Sequence, residues 1–344
     1  MSIGTLSIAF APSYAAIGVL APLLVLTGRC AQGLSAGVEN GGVSVYLSEI
    51  ATTEGKGFFV SWQSGSMQLA VIATGVIGLM LNARLSADQI TRWGWRIPFL
   101  AGCMIVPILL LLRRSLEETQ VFIKRKHHLG PRDILKTMAT SWRLVLLAVM
   151  LVTPNSVWFY MNVAYTPTFG SAILHLSANS TTTVILCVGV SNLVWLPVMG
   201  ALSDQIGRRP LLFGATLATL LTAYPALLWL VNAPSFGRLL GVELWFSCLF
   251  GTYVGASNVF LTEIMPVEIR TTGFSFALSG AGAFTGFGPA ICTYLIHVTG
   301  NPAVPGLWMS FGAVVGMTAS LLLYQDHATG TALAGISSPV PQRT

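Results

Sequence analysis

Charge is scarce in this sequence. Asp, Glu, Lys and Arg make up 9% of its 344 residues, against about 25% in a typical soluble domain. So few ionic groups cannot coat a soluble protein of this length. With 53% hydrophobic residues and a mean hydropathy of +0.72, the composition places the chain in the membrane class. Cysteine is also sparse. Cys30, Cys103, Cys187, Cys248 and Cys292 all sit in apolar runs, with no C-x-x-C spacing. That indicates neither a disulfide framework nor a zinc site, and the cysteines read as small apolar packing residues. A basic leader with a small-residue cleavage site is missing as well, so no signal peptide is expected.

What charge there is has a pattern. The net charge of +6 is concentrated in Arg113, Arg114, Lys124, Arg125, Lys126, Arg132 and Lys136, between two apolar spans. This is the mark of a cytoplasmic loop, not of a nucleic-acid surface. Apolar runs of roughly 18–25 residues predict nine complete spans, near 18–47, 58–82, 94–112, 142–166, 179–202, 211–231, 239–261, 273–297 and 307–324. Residues 1–10 read as the tail of one more. With 113–141 in the cytoplasm, Lys56, Arg143, Arg208, Arg209, Arg270 and Arg343 join the basic loop on the inner side. Arg84, Arg92, Arg96 and Arg238 lie at the outer side, and Arg29 lies in the membrane. The inverted topology reverses the bias and is rejected.

The chain repeats itself. Val45-Tyr46-Leu47-Ser48-Glu49-Ile50 matches Val259-Phe260-Leu261-Thr262-Glu263-Ile264. Each copy is followed by a basic residue, Lys56 or Arg270, and then by Gly-Phe. Duplicated transporters with parallel halves have this organisation. It predicts an incomplete first helix bundle over 1–112, a basic loop over 113–141, a six-helix bundle over 142–324 and a disordered tail over 325–344. The stretch before Glu49 is shorter than its counterpart before Glu263. The first half is therefore expected to lack two spans and most of a third.

The segment from Leu26 to Gly42 holds Arg29, Gln32 and Glu39 within an apolar run. It also contains Gly33-Leu34-Ser35-Ala36-Gly37. The G-x-S-x-G pattern confers nucleophile chemistry only on a strand-to-helix turn, which this apolar helical setting does not offer. The glycines make a stripe instead: Gly33, Gly37 and Gly41 recur every fourth residue, so that a neighbouring helix can approach closely. At 3.6 residues per turn, Arg29, Gln32, Ser35 and Glu39 share an adjoining polar face. Arg29 and Glu39 are roughly 15 Å apart along the axis and cannot pair. A lone charge at mid-bilayer costs at least ~2.5–3.5 kcal/mol on insertion scales, so each needs a partner, water or ligand. Two roles compete: members of structural ion pairs, or an anion site at Arg29 and a protonatable group at Glu39.

A second motif, Ser203-Asp204-Gln205-Ile206-Gly207-Arg208-Arg209-Pro210, makes a short cytoplasmic turn. Asp204 is suited to a helix N-terminus, where the dipole favours an anion. Arg208 and Arg209 can reach a carboxylate, with Glu263 the natural candidate. Such a cluster would hold the cytoplasmic side shut; simple positive-inside anchoring is the competing reading.

These motifs resemble the major facilitator superfamily. Gly94-Trp95-Arg96-Ile97-Pro98-Phe99, with Leu112-Arg113-Arg114-Ser115-Leu116-Glu117-Glu118-Thr119, resembles its metabolite–proton symporter family. Within that family, GGVSVYLSEIAT, KGFFVSWQSGS, YTPTFG and LTEIMPVEIR look most like the citrate or tricarballylate–proton symporters. The likeness covers essentially the whole chain. It implies an all-α fold of twelve helices in two six-helix bundles with the substrate between them. It also implies a bacterial inner-membrane protein that works as a monomer, takes a di- or tricarboxylate with protons, and uses no cofactor beyond the proton gradient. α-Ketoglutarate, shikimate and proline or betaine are the substrates of sister members. Family carboxylates of the first helix, and a first-half copy of the Asp-x-x-Gly-Arg-Arg loop, would precede Met1.

The site expectations follow. Arg29, Gln32, Glu39, Tyr160, Tyr165 and Asn192 are candidates for substrate or proton coupling. Asp204, Arg208, Arg209, Glu263 and Glu49 are candidates for the cytoplasmic gate. No metal site or enzymatic activity is expected. Asn155, Asn162 and Asn258 are weaker cavity candidates, and Tyr160 and Tyr165 compete with interface anchoring. Pro154, Pro197 and Pro289 mark expected kinks, and His127-His128 reads as a solvated pair. Glu243 departs from the family pattern and is expected to reach out to the headgroups. The alternative to transport is a non-transporting remnant.

Overall fold

The computed structural model describes residues 2–52, 54–104, 107, 111, 130–267 and 269–329. The His127-His128 pair, most of the basic loop and the end of the tail lie outside them. Every regular element among the described residues is helical. The main ones are α1 (Ser2–Ala9), α2 (Leu20–Ile50), α3 (Lys56–Arg84), α4 (Ile97–Met104), α5 (Pro131–Thr140) and α6 (Trp142–Phe159). They are followed by α7 (Ala178–Ile206), α8 (Arg208–Asn232), α9 (Phe236–Ile264), α10 (Arg270–Thr285), α11 (Gly288–Thr299) and α12 (Pro305–Thr329).

Seven described helical stretches are long and apolar enough to cross a bilayer, where nine were expected: Lys56–Arg84, Trp142–Ile173, Ala178–Ile206, Arg208–Asn232, Phe236–Ile264, Arg270–Thr299 and Pro305–Gln325. The difference has two sources. α2 is 31 residues long, but Arg29, Glu39 and Glu49 interrupt its apolar content. The span expected over 94–112 begins as α4 and then leaves the described residues.

Local sequence sets the boundaries. Ser177 and Ser235 cap α7 and α9, accepting the backbone N–H of Ser180 and Arg238. The turn from α7 to α8 passes through Gly207 at φ 89°, ψ 164°, a region essentially reserved for glycine. That fixes the Gly of the Ser-Asp-x-x-Gly-Arg-Arg motif. Pro154 and Pro197 lie inside helices as expected. Pro289 lies at the start of α11, and the span Arg270–Thr299 that covers the expected 273–297 is interrupted by a short turn between Thr285 and Gly288.

Beyond Phe159, α6 changes register. Residues Tyr160–Tyr165 and Phe169–Ile173 form two π-helical stretches around Thr166–Thr168. Pro167 lacks an N–H, and the Thr166 hydroxyl lies 3.0 and 2.9 Å from the carbonyls of Met161 and Asn162. A backbone bond that cannot form and a side chain that competes for carbonyls both loosen the α-ladder.

The buried core lies among the helices after residue 141, around Leu151, Trp158, Leu196, Leu212, Phe246, Tyr253, Phe274 and Leu323. The helices before residue 112 join it mainly through α3 on α7. There Gly57, Gly200 and Gly255, from three different helices, meet backbone to backbone. A Cβ on Gly200 would lie 2.5 Å from the Gly57 carbonyl, and one on Gly255 would lie 2.8 Å from the Gly200 nitrogen. The expected glycine stripe of α2 is realised in part. Gly37 and Gly41 press on Ser279 and Ser275 of α10, whereas nothing described approaches Gly33 within 4 Å.

Candidate functional site

The Ser203–Pro210 motif builds a contact between distant parts of the chain. Asp204, at the end of α7, accepts the N–H groups of Gly57 (2.8 Å) and Phe58 (3.0 Å). It thereby satisfies the unpaired donors and the positive dipole end of α3. Arg208 Nη1 pairs with Asp204 Oδ1 at 2.7 Å and donates to Ser203 Oγ at 2.8 Å. Its Nη2 pairs with Glu263 at 3.1 Å. The helix N-terminus that Asp204 serves is thus not one formed by its own turn. Among the described residues Arg209 does not join the carboxylates; its guanidinium lies over the rings of Phe213 (5.8 Å) and Tyr324 (5.5 Å). That corrects its assignment to the ion-pair cluster. The two repeat copies face each other across a polar cavity of about 300 Å³, lined by Ser48, Glu49, Lys56, Thr262, Glu263 and Arg270.

Toward the membrane interior, Arg29 donates to Gln32 Oε1 (3.2 Å) and lies 5.8 Å from the Phe99 ring centre. Gln32 donates to Thr5 of α1 (2.8 Å). Arg29 and Glu39 are both exposed. Ser35 lies inside the continuous helix α2, which disposes of the nucleophile elbow.

Two chains of side-chain hydrogen bonds cross between the helices before residue 112 and those after 141. In the first, Gln63 donates to Asn40 (3.3 Å), Ser64 to Gln63 (2.9 Å), Asn258 to Ser64 (2.9 Å), Asn155 to Asn258 (3.2 Å) and Ser257 to Asn155 (3.2 Å). In the second, Asn192 donates to Gln68 (3.1 Å), while Ser247 lies 2.6 Å from Asn192 Oδ1 and 2.7 Å from Ser191. Asn192 is therefore a buried strut joining three helices. Gln63, Ser64 and Gln68 were missed. Their signal was available: with Ser61 and Ser66 they make five polar residues within about two turns of a long apolar helix.

The tyrosines diverge. Tyr160 is half-buried. Tyr165 is buried, and its hydroxyl accepts from Thr293 at 3.2 Å. It lines a small cavity with Asn162, Thr166 and Glu243. Glu243 is the clearest correction. It does not reach the headgroups; it is 7% exposed and packed inside the helices after residue 141.

The family is settled by comparison. The profile of the Major Facilitator Superfamily matches residues 1–257, and the chain belongs to that superfamily. It is 51% identical over 331 residues to a citrate-proton symporter of Salmonella typhi, covering 96% of this chain and 76% of the relative. To the citrate-proton symporter of Klebsiella pneumoniae it is 52% identical over 329 residues, 95% and 74% of the two chains. Among solved structures, the proton:xylose symporter bound to 6-bromo-6-deoxy-D-glucose superposes with a TM-score of 0.70 at 16% identity, covering 94% of this chain and 78% of that one. At that identity the match speaks for the fold alone.

Proposed function

We propose that this chain imports citrate together with protons across the bacterial cytoplasmic membrane, alternately exposing a site between two helix bundles, residues 1–112 and 142–324. The observation that carries this reading is the 51% identity to a citrate-proton symporter over 96% of the chain. Tricarballylate is the natural second substrate, since it shares the three carboxylates. Importing an anion against the membrane potential costs ~2.3 kcal/mol per elementary charge per 100 mV, and co-entering protons offset that cost. Arg29, held by Gln32, balances a substrate carboxylate, and Glu39, exposed on the same helix, is the candidate coupling residue beside it. The Asp204–Arg208–Glu263 cluster, with Glu49 across the polar cavity, holds the cytoplasmic end closed and must part for release.

Uptake of radiolabelled citrate into energised cells, with and without an uncoupler, tests the reading. Tricarballylate, α-ketoglutarate and proline serve as competitors. Uncoupler-sensitive citrate uptake, displaced by tricarballylate, is the expected result. Absence of citrate uptake, or uptake indifferent to the uncoupler, overturns it.

A further inference from the structure

Glu243 stands in a surrounding that the gate and the Arg29 face leave unused. It sits on α9 within a cavity of about 20 Å³, above the ~10–15 Å³ that one water needs. Its Oε1 is 2.7 Å from Thr166 Oγ1. Its Oε2, and both amide atoms of Asn162 on the same cavity wall, are buried without a hydrogen-bond partner among the described residues.

The proton count at Thr166 is informative. Its hydroxyl has one hydrogen and three oxygen neighbours: Glu243 Oε1, Met161 O and Asn162 O, at 2.7, 3.0 and 2.9 Å. If the carboxyl is ionised, all three are acceptors competing for one hydrogen. A proton on Glu243 Oε1 resolves the conflict: the acid donates to Thr166 Oγ1, and Thr166 donates to a backbone carbonyl of the π-helical turn. Among the described residues no cation lines the cavity to offset a charge. α8 presents Leu227, α12 presents Pro305 and Met309, and α9 adds Phe246. Tyr165 is the one other titratable group lining the cavity among the described residues; its hydroxyl faces Thr293 of α11. An unpaired carboxylate in such a place costs several kcal/mol.

We propose that Glu243 is a proton-binding site, with a single water bridging its Oε2 to the Asn162 amide, and that the transport cycle uses its occupancy. Loss of the proton would leave Thr166 donating to the carboxylate and release the carbonyls of Met161 and Asn162. Proton binding is thereby tied to the register of residues 160–173. The coupling half of this proposal rests on the transport reading above.

Infrared spectroscopy of the full chain in lipid tests the site without any substrate. The expected result is the carbonyl stretch of a buried carboxylic acid in the unmodified chain, lost in Glu243→Gln and shifted in Thr166→Val, which also serves if the first variant fails to accumulate. No such band, or a band unchanged in Glu243→Gln, overturns the site. In uptake assays, Glu243→Gln should exchange citrate but lose the dependence of net uptake on external pH. An unchanged pH dependence overturns the coupling. If the unmodified chain takes up no citrate, the transport reading fails while the infrared result still decides the site.

Discussion

Asp204 and Gly57 lie 147 residues apart in sequence and are joined by a 2.8 Å hydrogen bond from the Gly57 N–H to the Asp204 carboxylate. The same carboxylate pairs with Arg208, which in turn pairs with Glu263. One acidic side chain therefore caps a helix of the first part of the chain and anchors an ion-pair relay of the second.

Replacing Asp204 removes that cap. Losing an N-cap costs about 0.5–2 kcal/mol, which at the upper end shifts a closed–open equilibrium roughly 30-fold. Asp204→Ala should expose a cysteine placed at Ser61 to thiol reagents applied from the cytoplasmic side, with net citrate uptake strongly reduced. Unchanged labelling rejects the cap as a gate.

Gly200 tolerates no side chain. Its Cβ would fall 2.5 Å from the Gly57 carbonyl and 2.6 Å from Ser61 Oγ, and overpacking of this kind typically costs 1–3 kcal/mol. Gly200→Val should hold α3 off α7 and abolish uptake, while the protein still inserts at normal abundance. Wild-type uptake by this variant would show that the contact is dispensable.

Arg29→Ala should abolish citrate uptake. Arg29→Lys should keep the charge but lose the guanidinium's contacts with Gln32 and Phe99, raising KM more than it lowers kcat. The check is a concentration series for both variants; normal uptake by Arg29→Ala removes this residue from the substrate site.

Asn258→Leu should break the first polar chain, leaving Ser64 and Asn155 short of a partner. A buried polar group left unsatisfied costs about 1–3 kcal/mol. A fall in thermal stability measured in detergent, larger than that of Asn258→Ser, is expected. Equal stability of the Leu variant would mean that water replaces the link.

The legible parts of the molecule were those written in charge and in repetition. Asp204, Arg208 and Glu263 stand out because an ionic residue beside an apolar span has few reasons to be there, and their grouping follows. Arg209 shares that signal but not the outcome, because sequence gives no sight of the Phe213 and Tyr324 rings that hold it. Glu243 was misread for a related reason. Position along the chain gives depth in the membrane but not direction, and its partner Thr166 is 77 residues away. The π-helical stretches were hidden because they arise from Thr166 competing for carbonyls beside Pro167, a local contest that hydrophobic periodicity does not record.

The junction of Gly57, Gly200 and Gly255 has a consequence for how such a molecule changes over time. Where three main chains touch, there is no side chain to trim or enlarge by degrees, so any substitution inserts at least a methyl group between the packed helices. Change at this junction therefore comes in steps of a whole side chain, where other helix contacts can be tuned atom by atom.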